Sequence, residues 1–246
     1  MAKGREDEVS GSTTTAEWYE RSYVAQGLGA QRRYPNEELI RFLARNFFHL
    51  PRQERARISI LDAGCGSCSN LWAIAHEGFD AHGMDISPES LRLGRQVLAG
   101  WQTAAHLSVG NFLAMPYKAE SFNAVVDVFS SNVLNAEEFE GYLAELRRVL
   151  KPGGRFFLFT PSVESDAFKN HLPAKKLDEF TLNGIYREDS PYHGNFYPFR
   201  FSEPALLQQM LRRHELEPEN VELVTRTYNQ RAESFQFIAL DAQRRR

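Results

Sequence analysis

Apolar positions along this chain follow two alternating rhythms: short near-continuous runs suited to buried strands, then stretches where they recur every third or fourth residue. The runs at 58–61, 81–84, 106–109, 124–129 and 155–160 predict strands. The fourth is almost wholly apolar, as a strand covered on both faces should be. Between them, 70–76 reads as a helix. A second helix follows Ser87 as N-cap, with Pro88 at the first helical position and Glu89 where the helix dipole favours an anion. Phe139, Tyr142, Leu143, Leu146, Val149 and Leu150 mark a third, which Lys151-Pro152-Gly153-Gly154 stops. Successive strand-helix units imply a doubly wound α/β fold with right-handed crossovers.

Outside this repeat the pattern changes. Residues 16–50 read as helical, most clearly after Pro35, where Leu39, Ile40, Leu43 and Phe47 share a face and Pro35 suits the first turn. Residues 1–15 are polar and aperiodic and are expected to form a mobile arm. Residues 161–201 have no clear period but hold eight Phe and Tyr residues, too aromatic for disorder. Residues 202–213 return to helix, and 221–228 with 234–240 read as a closing antiparallel pair of strands.

The 246 residues, 42% hydrophobic, suffice for one large core, so 16–246 is expected to be a single domain. A net charge of −3 supplies no basic field for nucleic acid, and the tail Arg244-Arg245-Arg246 reads as solvated. No apolar run has the length of a membrane span or signal sequence, so no membrane partner and a cytoplasmic location are expected. The two cysteines, Cys65 and Cys68, are too close to staple distant elements, which agrees with a reducing compartment.

Three predicted strand tips carry polar residues suited to the ligand crevice of a parallel sheet: Asp62 to Gly66, Asp85 and Asn111. Asp85 lies about twenty residues beyond Gly64 and Gly66, the spacing at which a carboxylate meets a ribose, which implies an adenosine cofactor. A dinucleotide fingerprint wants a third glycine where Ser69 stands, and no triphosphate-binding Gly-Lys run exists. The acid Asp62, two residues before Gly64, instead suits a ligand with a cationic group near the turn, as S-adenosylmethionine has. Cys65-x-x-Cys68 is also the layout of a thiol redox pair, but such a domain leaves Asp85 and Asn111 unexplained, and no close His or second Cys pair completes a metal site.

With these motifs assembled, the chain resembles the class I S-adenosylmethionine-dependent methyltransferases over about 58–160. The resemblance rests on Leu61-Asp62-Ala63-Gly64-Cys65-Gly66-Ser67, Gly83-Met84-Asp85-Ile86-Ser87, Gly110-Asn111-Phe112, Phe122-Asn123-Ala124-Val125-Val126-Asp127 and Leu150-Lys151-Pro152-Gly153-Gly154. It implies a Rossmann-like, mostly parallel sheet of seven strands, the last antiparallel, with N-terminal helices (16–50) and the aromatic insertion (161–201) as a substrate cap. It further implies that Gly64, Cys65 and Gly66 line the methionine part of the cofactor, Asp62 organises its ammonium and Asp85 holds the ribose. Ile86 and Phe112 would sandwich the adenine, Asn111 would meet its amino group, and Asp127 and Phe129 would face the reacting methyl. Two departures stand out: Cys68 replaces the family's usual third glycine, and Asn111 stands where aspartate is commoner.

Methyl transfer is an in-line displacement that needs alignment and exclusion of water more than a strong base. Polar-tipped residues in the capping segments, Tyr19, Tyr23, Tyr34, His171, Tyr192, His193, Tyr197 and Arg200, supply the candidates near an acceptor. Of these, His193 and Tyr197, within a lid expected at 190–201, and Tyr23, in the N-terminal helices, are singled out as catalytic candidates. The reaction expected is methylation of an oxygen, nitrogen or sulfur of a small-molecule acceptor. A cofactor-binding module or partner subunit without turnover is the alternative, and a thiol redox protein a lesser one.

Overall fold

The computed structural model describes residues 11–246. Helices α1 (Gly11–Gln26), α2 (Glu37–Phe47) and α3 (Arg52–Arg55) lead into the sheet. There follow β1 (Ser59–Ala63), α4 (Leu71–His76), β2 (Asp80–Asp85), α5 (Pro88–Gly100), β3 (His106–Val109), β4 (Phe122–Val128), α6 (Ala136–Val149) and β5 (Leu150–Pro161). The remainder is α7 (Asp166–Lys169), β6 (Thr181–Leu182), β7 (Phe199–Arg200), α8 (Pro204–Arg213), β8 (Leu216–Tyr228) and β9 (Glu233–Arg244).

Seven strands form one sheet in the order β3-β2-β1-β4-β5-β9-β8. Strands β1 to β5 are mutually parallel. The last strand, β9, runs antiparallel to both its neighbours, β5 and β8, as the resemblance implies. The order reverses between β1 and β4, which opens a crevice beyond their carboxyl ends.

Both faces of the sheet are covered, which explains the apolar central strands. Leu39, Phe42 and Leu43 of α2, with Ile74 and Leu91, pack on the face bearing Ile60, Val126 and Phe157. Phe139, Leu143 and Leu146 of α6, with Leu207 and Leu211 of α8, cover Leu61, Val125 and Phe156 on the other. Successive β4 residues Val125 and Val126 thus serve opposite layers, as strand geometry requires.

Several boundaries differ from the sequence expectation: β5 already begins at Leu150, β8 at Leu216, and β9 runs on to Arg244, which is buried rather than solvated. Helix α1 already runs from Gly11, and Thr15 is buried, so the expected arm does not extend to residue 15; residues 1–10 lie outside the described residues. Pro35 is not in the first turn of α2. Asn36 caps that helix, accepting from the Glu38 and Leu39 amides, and a side-chain cap displaces proline one step outward. The insertion has little regular structure beyond α7 and the two-stranded β6-β7 pairing. Rings hold it instead: Phe199 and Tyr192 pack on Phe129, and Tyr192 and Phe201 on Phe235 of β9.

Candidate active site

The turn after β1 is built on two glycines in the left-handed region, Gly64 at φ 73° and Gly66 at φ 51°. The amides of Gly64 and Cys65 both donate to the Met84 carbonyl, at 2.8 and 3.0 Å, which ties the turn to the tip of β2. Neither glycine has room for a side chain. A β-carbon on Gly64 would lie 2.4 Å from the Ser130 β-carbon, and one on Gly66 would lie 2.8 Å from the Tyr23 hydroxyl. Ser130 Oγ also donates to the Gly64 carbonyl at 3.0 Å, fastening the turn to the tip of β4. The Asp85 carboxylate completes the clamp, accepting from the Gly66 amide at 2.8 Å and the Ser87 amide at 2.9 Å.

Cys68 adopts the backbone of the missing glycine without being one. Its φ is 65°, its side chain is fully buried, and its sulfur packs against Gly94 of α5. Both cysteines are free and buried, and the hydrogen bond with the Cys68 thiol, together with burial, pushes the Cys65 thiol up. That is the opposite of the lowered pKa a redox thiolate needs.

A cavity of about 290 Å³ opens over this turn. Of the residues singled out in the sequence, Gly64, Cys65, Gly66, Asp85, Ile86, Asn111, Phe112, Phe129 and Tyr23 line it. Asn111 Oδ1 accepts from the Leu113 amide at 2.9 Å, which fixes the amide and leaves one lone pair. Phe129 is strained, with φ 62° at the tip of β4, and its ring stacks on Tyr192 at 4.7 Å.

Asp62 and Asp127 are not on the lining; they lie beneath it, almost completely buried. Asp127 Oδ1 accepts from the amides of Ser130 and Ser131, so this acid shapes the β4 tip. His193 and Tyr197 also stand off the lining. The turn around them sends Tyr192 inward onto Phe129 and Phe235 and leaves His193 exposed against the edge of Phe196. Tyr197 is buried behind the cavity wall, sharing a 2.8 Å hydroxyl bond with Tyr19, which does line the cavity.

Residues 60–154 match a family model described as a methyltransferase domain. Over those residues the chain is similar to that methyltransferase domain. Its relatives include the demethylmenaquinone methyltransferase of Tropheryma whipplei (strain Twist), 34% identical over 97 residues, covering 39% of this chain and 38% of the relative. The demethylmenaquinone methyltransferase of Listeria monocytogenes serotype 4a is 28% identical over 158 residues, 63% of this chain and 62% of that one. The chain therefore spans less than two thirds of the length of these relatives. Among solved structures, the 1,6-didemethyltoxoflavin-N1-methyltransferase of Burkholderia thailandensis superposes with TM-score 0.65 at 15% identity, covering 100% of this chain and 95% of its own; it shares the fold.

Within this methyltransferase fold the cavity also takes residues the motifs do not reveal. Helix α1 lies over the mouth because Glu20 receives the Ser87 hydroxyl, Tyr23 covers Gly66, and Trp18 packs on Tyr197. Thr15, Gln31 and Arg32 line the cavity from the same segment. These come from a stretch whose only signal was helical period, and a contact to a glycine turn leaves no local pattern.

The electrostatics of the floor are one-sided. Burial raises the pKa of Asp62 to about 8, and the charges of Asp127 and Asp85 push the same way, against Arg32 alone. Burial raises Asp85 and Asp127 as well, against the amides that bond them. One oxygen each of Asp62 and Asp127 has no hydrogen-bond partner. A buried acid with an open oxygen, two neighbouring carboxylates and only Arg32 against them is a site where a cationic ligand is stabilised.

Proposed function

We propose that this chain binds S-adenosylmethionine in the 290 Å³ cavity and transfers its methyl group to an oxygen, nitrogen or sulfur of a small-molecule acceptor. The observation that carries this reading is Asp62, buried under the glycine turn with an unpartnered oxygen and a pKa raised to about 8. A phosphate-bearing cofactor would add negative charge beside Asp62, which burial and the charges of Asp127 and Asp85 already push up. The residues present fit a ligand with an ammonium and a sulfonium.

In this reading Asp62 holds the ammonium, Arg32 at the cavity wall holds the carboxylate, and Asp85 accepts from the ribose hydroxyls. Asp85 is oriented for that by the Gly66 and Ser87 amides. Ile86 and Phe112 flank the adenine and Asn111 accepts from its amino group. Phe129 stands beside the methyl, and Asp127 sets the β4 tip from below. When bound, S-adenosylmethionine supplies an electrophilic methyl. The chain's own part is to align the acceptor and keep water out, through the ring lattice of Phe129, Tyr192, Tyr19 and Tyr197.

Burial raises Tyr19 to about 12 and pushes Tyr23 and Tyr197 well above the ordinary phenol, so these hydroxyls stay protonated at neutral pH and act as donors. Tyr23 is the catalytic candidate that stays at the cavity, as a positioning group for the acceptor. Residues 16–246 act as one methyltransferase domain, with 16–50 and 161–201 as its cap. The free, unbridged cysteines support a cytoplasmic setting. No described helix is long and apolar enough to cross a membrane.

One observation favours the second reading, a cofactor-binding module without turnover: among the described residues, no histidine lines the cavity. Incubation with methyl-labelled S-adenosylmethionine and a panel of small hydroxyl, amine and thiol compounds separates the two. Label transferred to any acceptor supports the enzyme; binding without transfer across the panel supports the module.

A further inference from the structure

At the opposite end of the sheet from the cavity, parallel pairing assembles a group that the sequence separates. Strands β2 and β3 are in register with His82 beside His106. Asp80 and His82 are two positions apart on β2 and so share a face of the strand. The result is one carboxylate and two imidazoles whose ligand atoms all lie within 4.8 Å of one another. His82 Nε2 is 3.1 Å from Asp80 Oδ2 and His106 Nε2 is 3.7 Å from Asp80 Oδ1. The two rings stack with centroids 4.7 Å apart.

We propose that Asp80, His82 and His106 form a binding site for a divalent transition metal of the zinc class. Two neutral imidazole nitrogens and a carboxylate oxygen are the donor set that zinc takes, and hard, oxygen-seeking magnesium and calcium do not compete well for it. Zinc at about 2.0–2.1 Å from each donor leaves tetrahedral ligands about 3.3 Å apart, close to the separations already present. Only His106, whose side chain is 73% exposed, has to swing inward.

The surroundings already support the ligands. Ser59 Oγ donates to Asp80 Oδ2 at 2.7 Å and fixes the carboxylate, as outer hydrogen bonds do in metal sites. The His82 ring is held edge-on by Phe122 at 5.2 Å. Water fills the remaining coordination position, because the group opens to solvent. Its effect is structural: β3 is a four-residue strand at the sheet edge, and a metal bridging His106 to Asp80 and His82 clips it to β2. Asp85, at the other end of β2, is about 16 Å away at strand rise, so the site acts apart from the cavity.

The test is calorimetry and thermal melting of the tag-free chain titrated with zinc chloride at pH 7.5, with cobalt(II) absorption as a geometric readout. Expected are one zinc per chain in the micromolar range or tighter, a melting temperature that rises with zinc and not with magnesium, and visible cobalt bands. His106→Ala and His82→Ala should each weaken binding at least tenfold, and His193→Ala should not. Because His106 is exposed, its variant should melt like the wild type without metal. Absence of stoichiometric zinc binding, or undiminished binding by His106→Ala, overturns the proposal.

Discussion

The Cys68 sulfur fills the space that a β-carbon on Gly94 would need: the two would be 2.5 Å apart. A side chain at a left-handed position of the cofactor turn is thus accommodated by the loss of one on the helix beneath it. The left-handed backbone of Cys68 costs about 1–2 kcal/mol relative to glycine, and its buried thiol offsets part of this by packing on α5. Alanine at an ordinary glycine inside a helix stabilises by roughly 0.5–1 kcal/mol. Gly94→Ala should do the reverse, destabilising by about 1–3 kcal/mol through overpacking. Cys68→Gly in the same chain should restore most of the loss. Urea unfolding of the two single variants and the double variant measures the coupling.

Asp85 joins the glycine turn to the cofactor reading. Asp85→Ala removes the acceptor of two backbone amides and the group assigned to the ribose. Charged hydrogen bonds are worth about 1.5–3 kcal/mol each, so affinity for S-adenosylmethionine should fall by tenfold or more. Asp85→Asn, which keeps an acceptor oxygen, should lose less. Equilibrium dialysis with the labelled cofactor distinguishes them.

The raised pKa of Asp62 fixes the sign of two pH effects. The folded chain keeps a proton there up to about pH 8, whereas the unfolded chain releases it near 3.8, so this group's share of stability is full below that range and is lost as pH rises toward 8. Binding a cation favours the ionised form, so S-adenosylmethionine affinity should rise over the same interval. Asp62→Asn should flatten both curves, raise the stability of the unliganded chain at pH 8, and weaken cofactor binding. Denaturant melts and binding isotherms from pH 5 to 9 read both.

The two cap segments meet through Tyr19 and Tyr197. Tyr197→Phe removes one buried hydroxyl bond, about 0.5–1.5 kcal/mol, and leaves the Trp18 and Phe199 ring contacts. Under the proposed function, apparent affinity for the acceptor should weaken and that for S-adenosylmethionine should hold. Steady-state kinetics with both substrates varied shows whether the loss falls on one.

Buried free cysteines give a direct check on the thiol reading. Neither Cys65 nor Cys68 should react with a thiol reagent in the native chain on a timescale of minutes, and both should react at once in denaturant. Fast labelling of the folded chain at neutral pH would speak for a redox role.

The parallel strands and their helices were legible in the sequence because each carries its own period, and α5 its own cap at Ser87 with Pro88. The glycine turn was legible because tight backbone geometry restricts residue type. Contacts made by register or by side-chain packing were not. His82 and His106 lie 24 positions apart in the chain and become neighbours only when β2 pairs with β3. Ser130 and Tyr23 fill the space over Gly64 and Gly66, which no local pattern announces. His193 had the suitable chemistry and the wrong side of its turn, since the apolar surface of Phe129 and Phe235 recruits Tyr192 instead. The sequence offers Asp62 as a partner for a cation, but its burial beneath the lining depends on the layers that close over the strand tips.

Isothermal titration of the purified chain with S-adenosylmethionine at pH 8 bears most directly on the central claim. A single site per chain in the micromolar range is expected, retained by Cys68→Ser and weakened tenfold or more by Asp62→Asn. No binding at millimolar cofactor, or equal binding by Asp62→Asn, would contradict it.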